Sequence, residues 1–376
     1  MALADLLKEK SILVVCGSGG VGKTTISASL ALLAAMEGRK VLVCTIDPAK
    51  RLADSLGLKE LGNKETRIPD LVFAQAGLAP KGELWGMMLD SKTTFDDLIC
   101  RIAPDEAVRN RVLNNPFYQN ITTALAGSQE FSATEKLFEL ACRKDYDLIV
   151  LDTPPTRHAL DFLDAPNRLT SFLEAKVIAW FLGPYLKAGK LGFRFLNSGA
   201  AMAFRVLEKV TGYQTLADIA DFFLVFEGLY EGFAARAAKV RQLMSDPATA
   251  FVLVTSPQSP SLLEASFFLD RLLEEKMPLG EVVFNRVYTA PTELSSEDVQ
   301  ALGIQTTQKL PAHKTAIDAL CANLRLAILL AEADKRSIRR FLEQSCQPIE
   351  SVRVPFMRTD IHDMAGLHTV CCHLAG

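Results

Sequence analysis

The chain has 376 residues, 49% hydrophobic and 23% charged, so it can bury a sizeable core as one elaborated domain or two, and it is not a disordered polymer. A formal net charge of −3 and a pI near 6.0 give no electrostatic footprint for nucleic acid, which is excluded as an expected partner. The eight cysteines (16, 44, 100, 142, 321, 346, 371 and 372) contain no CxxC, which argues against a zinc knuckle or a redox dithiol and fits a reducing cytosol.

In chain order, MALADLLKEK mixes acids and bases without an apolar core, so no secretory leader is expected. A first strand is predicted at 12–16 (ILVVC), followed by a glycine-rich loop and a helix over 23–37. A second strand follows at 40–46 (KVLVCTI), completing a βαβ unit. Further strands are predicted at 147–151, 251–255, 281–284 and 351–356. Their nearly unbroken hydrophobicity suits a parallel sheet covered on both faces. Two tracts, roughly 82–144 and 160–245, carry no strand signal and read as an inserted helical subdomain. The second is rich in Phe and Trp, including Phe172, Trp180, Phe222, Phe226 and Phe233. The most membrane-like run, 177–186, falls well short of the ~20 residues that span a bilayer. Residues 313–345 read as a long amphipathic helix or hairpin packed on the core or on another subunit, and a short helical stretch at 363–374 closes the chain.

The segment GSGGVGKTT at 17–25 meets G-x-x-x-x-G-K-[ST] with Gly17, Gly22, Lys23 and Thr24 between a strand and a helix. The resulting fold class is α/β, a P-loop nucleoside-triphosphatase with a mostly parallel, doubly wound sheet and an inserted α-helical subdomain. The core is expected at 1–81, 145–160 and 246–376, and the helical insert at 82–144 and 161–245. Backbone amides of Gly19, Gly20, Val21 and Gly22 would cradle phosphate oxygens, and Lys23 would place a cation on the β- and γ-phosphates. Thr24 would offer its hydroxyl to Mg²⁺, and Thr25 would reach the α-phosphate. The expected ligands are ATP or ADP with Mg²⁺.

Together with TIDPAKRLADSLG (45–57) and LIVLDTPPTRHALDFLDAP (148–166), this loop resembles the ATPase family of arsenite-pump subunits and tail-anchored-protein targeting factors. That family belongs to a dimeric P-loop group shared with the nitrogenase iron protein and the MinD/ParA proteins. The resemblance extends over nearly the whole chain, including VPF…DIHDMAGL (354–367). The GSGG loop and DTPPTR segment resemble a bacterial branch whose members occur as unlike pairs.

The resemblance makes Asp47, at the end of the second strand, the residue that positions the attacking water; the alternative is a helix N-cap. Asp152 ends another apolar strand, the usual place for a carboxylate that reaches Mg²⁺ through water. Where the family reads DTAPTGHTLR this chain reads DTPPTRHALD, so Pro154 lacks an amide donor and Asp161 replaces an arginine. His158 matches the family histidine, although a lone histidine there is more often a helix-capping or packing residue. Asn285 resembles the family position that reads the adenine edge, the alternative being a turn residue. Pro355 and Phe356 resemble the adenine-flanking loop, although Phe356 could also belong to the core.

At the second loop position, Ser18 stands where the dimeric group has a lysine that reaches the partner's nucleotide, and a serine cannot do this. Hydrolysis is then slow, or Arg51 or Arg157 substitutes, or a partner supplies the lysine. The expectation is a dimer, homomeric or, favoured, heteromeric with a paralogous ATPase, acting on a hydrophobic or membrane-protein client. The alternative is a weakly hydrolysing partner subunit that regulates its paralogue. The cysteines do not match the family's metalloid spacing. Adjacent side chains of Cys371, Cys372 and His373 diverge on a helix, so neither arsenite nor zinc is expected. Localisation is expected to be cytoplasmic, with access to the inner membrane through a partner.

Overall fold

The computed structural model describes residues 3–47, 51–124, 128–153, 213–291, 293–345 and 347–376. After helix α1 (Leu3–Glu9) the chain enters β1 (Ile12–Cys16), α2 (Lys23–Met36) and β2 (Lys40–Thr45). Next come α3 (Arg51–Ser55), β3 (Thr66–Arg67), α4 (Asp70–Gln75) and β4 (Glu83–Met88). Helices α5 (Ser91–Ile102), α6 (Glu106–Leu113), α7 (Pro116–Ala124) and α8 (Ser128–Arg143) lead to β5 (Leu148–Asp152). Beyond it lie α9 (Tyr213–Glu227), α10 (Tyr230–Met244), β6 (Thr249–Thr255), α11 (Ser259–Glu274) and β7 (Leu279–Val287). The chain closes with α12 (Ser296–Lys309), a short 3₁₀ turn, α13 (Lys314–Gln344), β8 (Ser351–Pro355) and α14 (Met364–Leu374).

The eight strands form one sheet in the order β3-β4-β2-β5-β1-β6-β7-β8, parallel except for β3. Five-residue strands such as β1 and β5 are buried along their whole length because helices cover both faces. One core packs α2 and α14 against one face through Ile26, Leu30, Val43, Val150 and Leu367. The opposite face is covered by α8, α10, α11 and α13 through Leu137, Val240, Phe268, Ile338 and Phe341. The order places β1, β2 and β5 side by side at the centre, so the loops leaving their carboxyl ends converge on one edge.

All six predicted strands are present, as is the 23–37 helix. The 313–345 stretch is one continuous helix that forms a hairpin with α12. One expectation needs correction: the tract from 82 does not begin with helix. Glu83–Met88 is a strand paired along β2, and the helices start at Ser91. Its sequence, ELWGMM, hides the strand behind a leading glutamate and a glycine. Gly86 lets Leu56 and Leu61 pack closely on the strand: a Cβ there would stand 3.1 Å from Leu56 and 3.3 Å from Leu61, so those side chains would have to give by a few tenths of an ångström.

The described helices α5–α10 gather around a third cluster made by Phe95, Tyr118, Phe131, Phe222, Phe226 and Phe233. Phe222 and Phe226, with ring centroids 4.5 Å apart, pack the subdomain's own core and do not line an open groove. Beside this cluster a buried Glu135 ties α8 to α10, its two carboxylate oxygens sharing the single Nε–H of Arg236 at 2.8 and 2.9 Å. Phe172 and Trp180 lie outside the described residues. Among the described residues, no helix is long and apolar enough to cross a membrane.

Candidate functional site

Gly17 leaves β1 with φ +148°, and a Cβ there would stand 2.0 Å from the Val254 carbonyl oxygen, so only glycine lets the loop pass β6. At the other end of the loop Gly22 has φ +94° and precedes α2, whose first turn has no side-chain cap. The helix's leading amides are therefore left for a ligand. Lys23 is buried and folds back on the loop, its Nζ donating to the carbonyls of Gly17 at 3.0 Å and Ser18 at 2.9 Å. Burial lowers its pKa, an effect opposed by Asp152, Cys16 and Asp47.

Beneath the loop, Asp152 collects three hydroxyl donors: Thr24 Oγ1 at 2.7 Å, Thr45 Oγ1 at 2.9 Å and Ser27 Oγ at 3.3 Å. Its carboxyl is fully buried, and burial pushes its pKa up to about 6 against the opposing pull of Thr24, Thr45 and Lys23. A hydroxyl and a carboxylate in contact form a hard-oxygen donor set, which suits Mg²⁺. Register explains the meeting: Thr45 is the direct parallel neighbour of Asp152 across β2 and β5. Ser27 lies one turn after Thr24 on α2. Neither Thr45 nor Ser27 was expected from sequence. The signal available was that both hydroxyls lie within three residues of an expected site residue.

One cavity of about 780 Å³ gathers Gly20, Gly22, Lys23, Thr24, Thr25, Asp47, Asn285, Pro355 and Phe356. Of the other expected residues, Gly19 is exposed on the loop, Val21 is buried under it, and Asp152 sits behind Thr24. Asp47 lines the cavity, and its amide donates to Thr45 Oγ1 at 3.2 Å. Arg51 lines the same cavity. Pro154, Arg157, His158 and Asp161 lie outside the described residues.

Asn285 is buried at the end of β7 and clamps the loop, donating from Nδ2 to the Val21 carbonyl at 2.8 Å and accepting the Arg286 amide at 2.9 Å. Each end of its amide retains one further hydrogen-bonding capacity for a ligand. Phe356 is exposed rather than in the core, and it stacks on Tyr288 with centroids 5.3 Å apart and planes 17° apart. Tyr288 is a second aromatic that sequence reasoning missed.

Ser18 turns inward. Its side chain is buried, and its hydroxyl has no hydrogen-bond partner among the described residues. At the carboxyl end of the chain, Cys371 is buried with Sγ donating to the Ser29 carbonyl at 3.1 Å, while Cys372 is exposed, so the two thiols diverge.

The profile of the anion-transporting ATPase family (ArsA) matches residues 10–309, from the strand before the phosphate loop through α12. The chain belongs to the anion-transporting ATPase family. Among curated proteins it is similar to "ATPase GET3" of Malassezia globosa, 26% identical over 77% of both chains. It is 29% identical to "ATPase ARSA2" of Chlamydomonas reinhardtii over 74% of this chain and 68% of that protein. With "ATPase asna-1" of Caenorhabditis elegans it shares 25% identity over 92% of this chain and 96% of the other. Membership of the anion-transporting ATPases accords with the P-loop α/β fold and supports ATP binding and hydrolysis.

Proposed function

We propose that this chain is a Mg²⁺-dependent ATPase that converts ATP and water to ADP and phosphate and couples nucleotide state to the arrangement of a dimer. The observation that carries the reading is the contact of Thr24 with Asp152 directly beneath a glycine-shaped loop whose helix amides are uncapped. Lys23, now spending its N–H bonds on two loop carbonyls, would exchange them for β- and γ-phosphate oxygens without leaving the loop. Bound at Thr24 and, through water, at Asp152, Mg²⁺ would neutralise phosphate charge. Asp47, fixed through Thr45, orients the attacking water, and Asn285 keeps one donor and one acceptor for adenine. Pro355 and Phe356 supply the apolar wall of the base pocket, with Phe356 supported by Tyr288.

The protein acts in the cytoplasm on a hydrophobic or membrane-protein client, with the helical layer as the client-handling part. The resemblance of the 17–25, 45–57 and 148–166 motifs to tail-anchored-protein targeting factors supports this client class. A heterodimer with a paralogue carrying the missing lysine is favoured over a homodimer, because Ser18 directs no charge outward.

A second reading has the chain as a weakly hydrolysing nucleotide-binding subunit that regulates an active paralogue, and the buried, uncharged Ser18 favours it. Steady-state phosphate release separates the two. The first reading expects measurable turnover by the chain, alone or with a paralogue, reduced by about 10²-fold or more in Asp47→Asn. Turnover unaffected by Asp47→Asn would remove the mechanism. Turnover appearing only in Ser18→Lys would establish the second reading.

A further inference from the structure

Helix α13 runs for 31 residues, about 46 Å, and carries two apolar seams. The inner seam buries Ile328, Ile338 and Phe341, of which Ile338 and Phe341 join the core under the sheet, and the helix packs along α12. The outer seam consists of Ala319, Ala322, Leu326, Leu329 and Ala333, all exposed, with Leu326 at 55% and Leu329 at 48%. Their spacing alternates three and four residues, the heptad spacing by which one helix packs along another. A surface helix needs only one such stripe to join its own core. Among the described residues nothing covers the second stripe.

The flanks of the outer seam identify its occupant. Along one side, at seven-residue intervals, stand Asp318, Arg325, Glu332 and Arg339, alternating in sign; along the other stand Asn323, Leu330 and Ser337, none of them charged. If two copies of α13 lie antiparallel about a twofold axis midway between Leu326 and Leu329, Leu326 faces the partner's Leu329. Ala322 then faces the partner's Ala333. In that register the charged flanks meet: Arg325 falls opposite the partner's Glu332, and Asp318 opposite the partner's Arg339. A parallel pair would set each charged flank against an uncharged one and gain nothing. The guanidinium of Arg325 is already held beside α12, its Nε donating to Ser296 Oγ at 3.1 Å.

We propose that the outer seam of α13 docks antiparallel on the same seam of a second copy of this chain, forming a self-association that requires no nucleotide. It is independent of the ATPase reading, since the seam includes no residue of the phosphate loop. Leucines at the centre give the contact its buried area, the alanines let the helices approach closely, and the alternating charges fix direction and register.

Sedimentation velocity of the full chain, without nucleotide and in chelator, tests this over about 1–100 μM, a range that suits a short alanine-rich seam. The expected result is a concentration-dependent monomer–dimer equilibrium that disappears in Leu326→Glu/Leu329→Glu, whose exposed positions leave the unfolding profile unchanged. Arg325→Glu is expected to weaken the dimer roughly tenfold, since two symmetric contacts change from attractive to repulsive. Adding Glu332→Arg to that variant is expected to restore it, although the bond to Ser296 stays lost. A wild-type chain monomeric throughout, a dimer indifferent to the leucine changes, association that appears only with nucleotide, or a double charge reversal no better than the single one would each overturn the proposal.

Discussion

Replacing Asp152 by Asn should make the metal-free protein relatively more stable as pH rises, although it removes a residue assigned to the site. An exposed aspartate titrates at 3.8, whereas burial pushes Asp152 to about 6. A raised folded-state pKa contributes stability that is complete below the unfolded value and is lost as pH climbs through the folded one. The whole displacement corresponds to about 3 kcal/mol, of which roughly 1.4 kcal/mol is lost between pH 5 and pH 8. The substituted asparagine would keep the shape and stay neutral at both pH values. It would forfeit one or two of the hydrogen bonds from Thr24, Thr45 and Ser27, about 1 kcal/mol each, and this cost does not vary with pH. Urea unfolding of both proteins at pH 5 and pH 8, in chelator and without nucleotide, isolates the carboxylate as the difference between the two differences. The expected value is roughly 1.4 kcal/mol in favour of the variant at pH 8. An unchanged difference at the two pH values would refute the claim that burial raises the pKa of this carboxyl group.

Gly22→Ala should be damaging twice over, because its backbone has φ +94° and the new methyl would stand 2.3 Å from Asn285 Nδ2. A loss of about 1–3 kcal/mol in chemical unfolding is expected, together with at least tenfold weaker ATP binding by calorimetry. Glu281 is buried with Oε2 lacking a partner among the described residues, and burial beside Glu350 pushes its pKa up to about 7. Its contribution is therefore lost as pH rises through 7, and Glu281→Gln should flatten the stability profile between pH 5 and pH 8 in thermal melts.

The strands that form the centre of the sheet were legible because burial on both faces demands unbroken apolar runs, as in Ile12–Cys16 and Leu148–Asp152. β4 was not, since Gly86 and Glu83 serve tertiary needs, close packing against Leu56 and a place at the strand's start, that local propensity does not reveal. The phosphate loop was legible from spacing alone, because Gly17 and Gly22 are required by the loop's own positive-φ backbone, although the contacts that also enforce them, with Val254 and Asn285, lie far along the chain. The hydroxyl collar around Asp152 was hidden in register: Thr45 meets Asp152 only because β2 pairs with β5, across 107 residues of chain. Asn285 was expected to face a base, yet it also ties down Val21 from 264 residues away, a structural duty that composition could not signal. Residues 313–345 were legible as an amphipathic helix, whereas the separation of its two seams requires knowing which face α12 already occupies.

The central claim is that the loop around Lys23 holds a triphosphate together with Mg²⁺. Isothermal titration of ATP with Mg²⁺ into the purified chain, beside Lys23→Ala, measures it most directly. The account predicts one nucleotide bound per chain by the wild type and binding weakened by at least tenfold in Lys23→Ala, as loss of a buried cation on the β- and γ-phosphates requires. Equal binding by both proteins, or no heat from either, would contradict it.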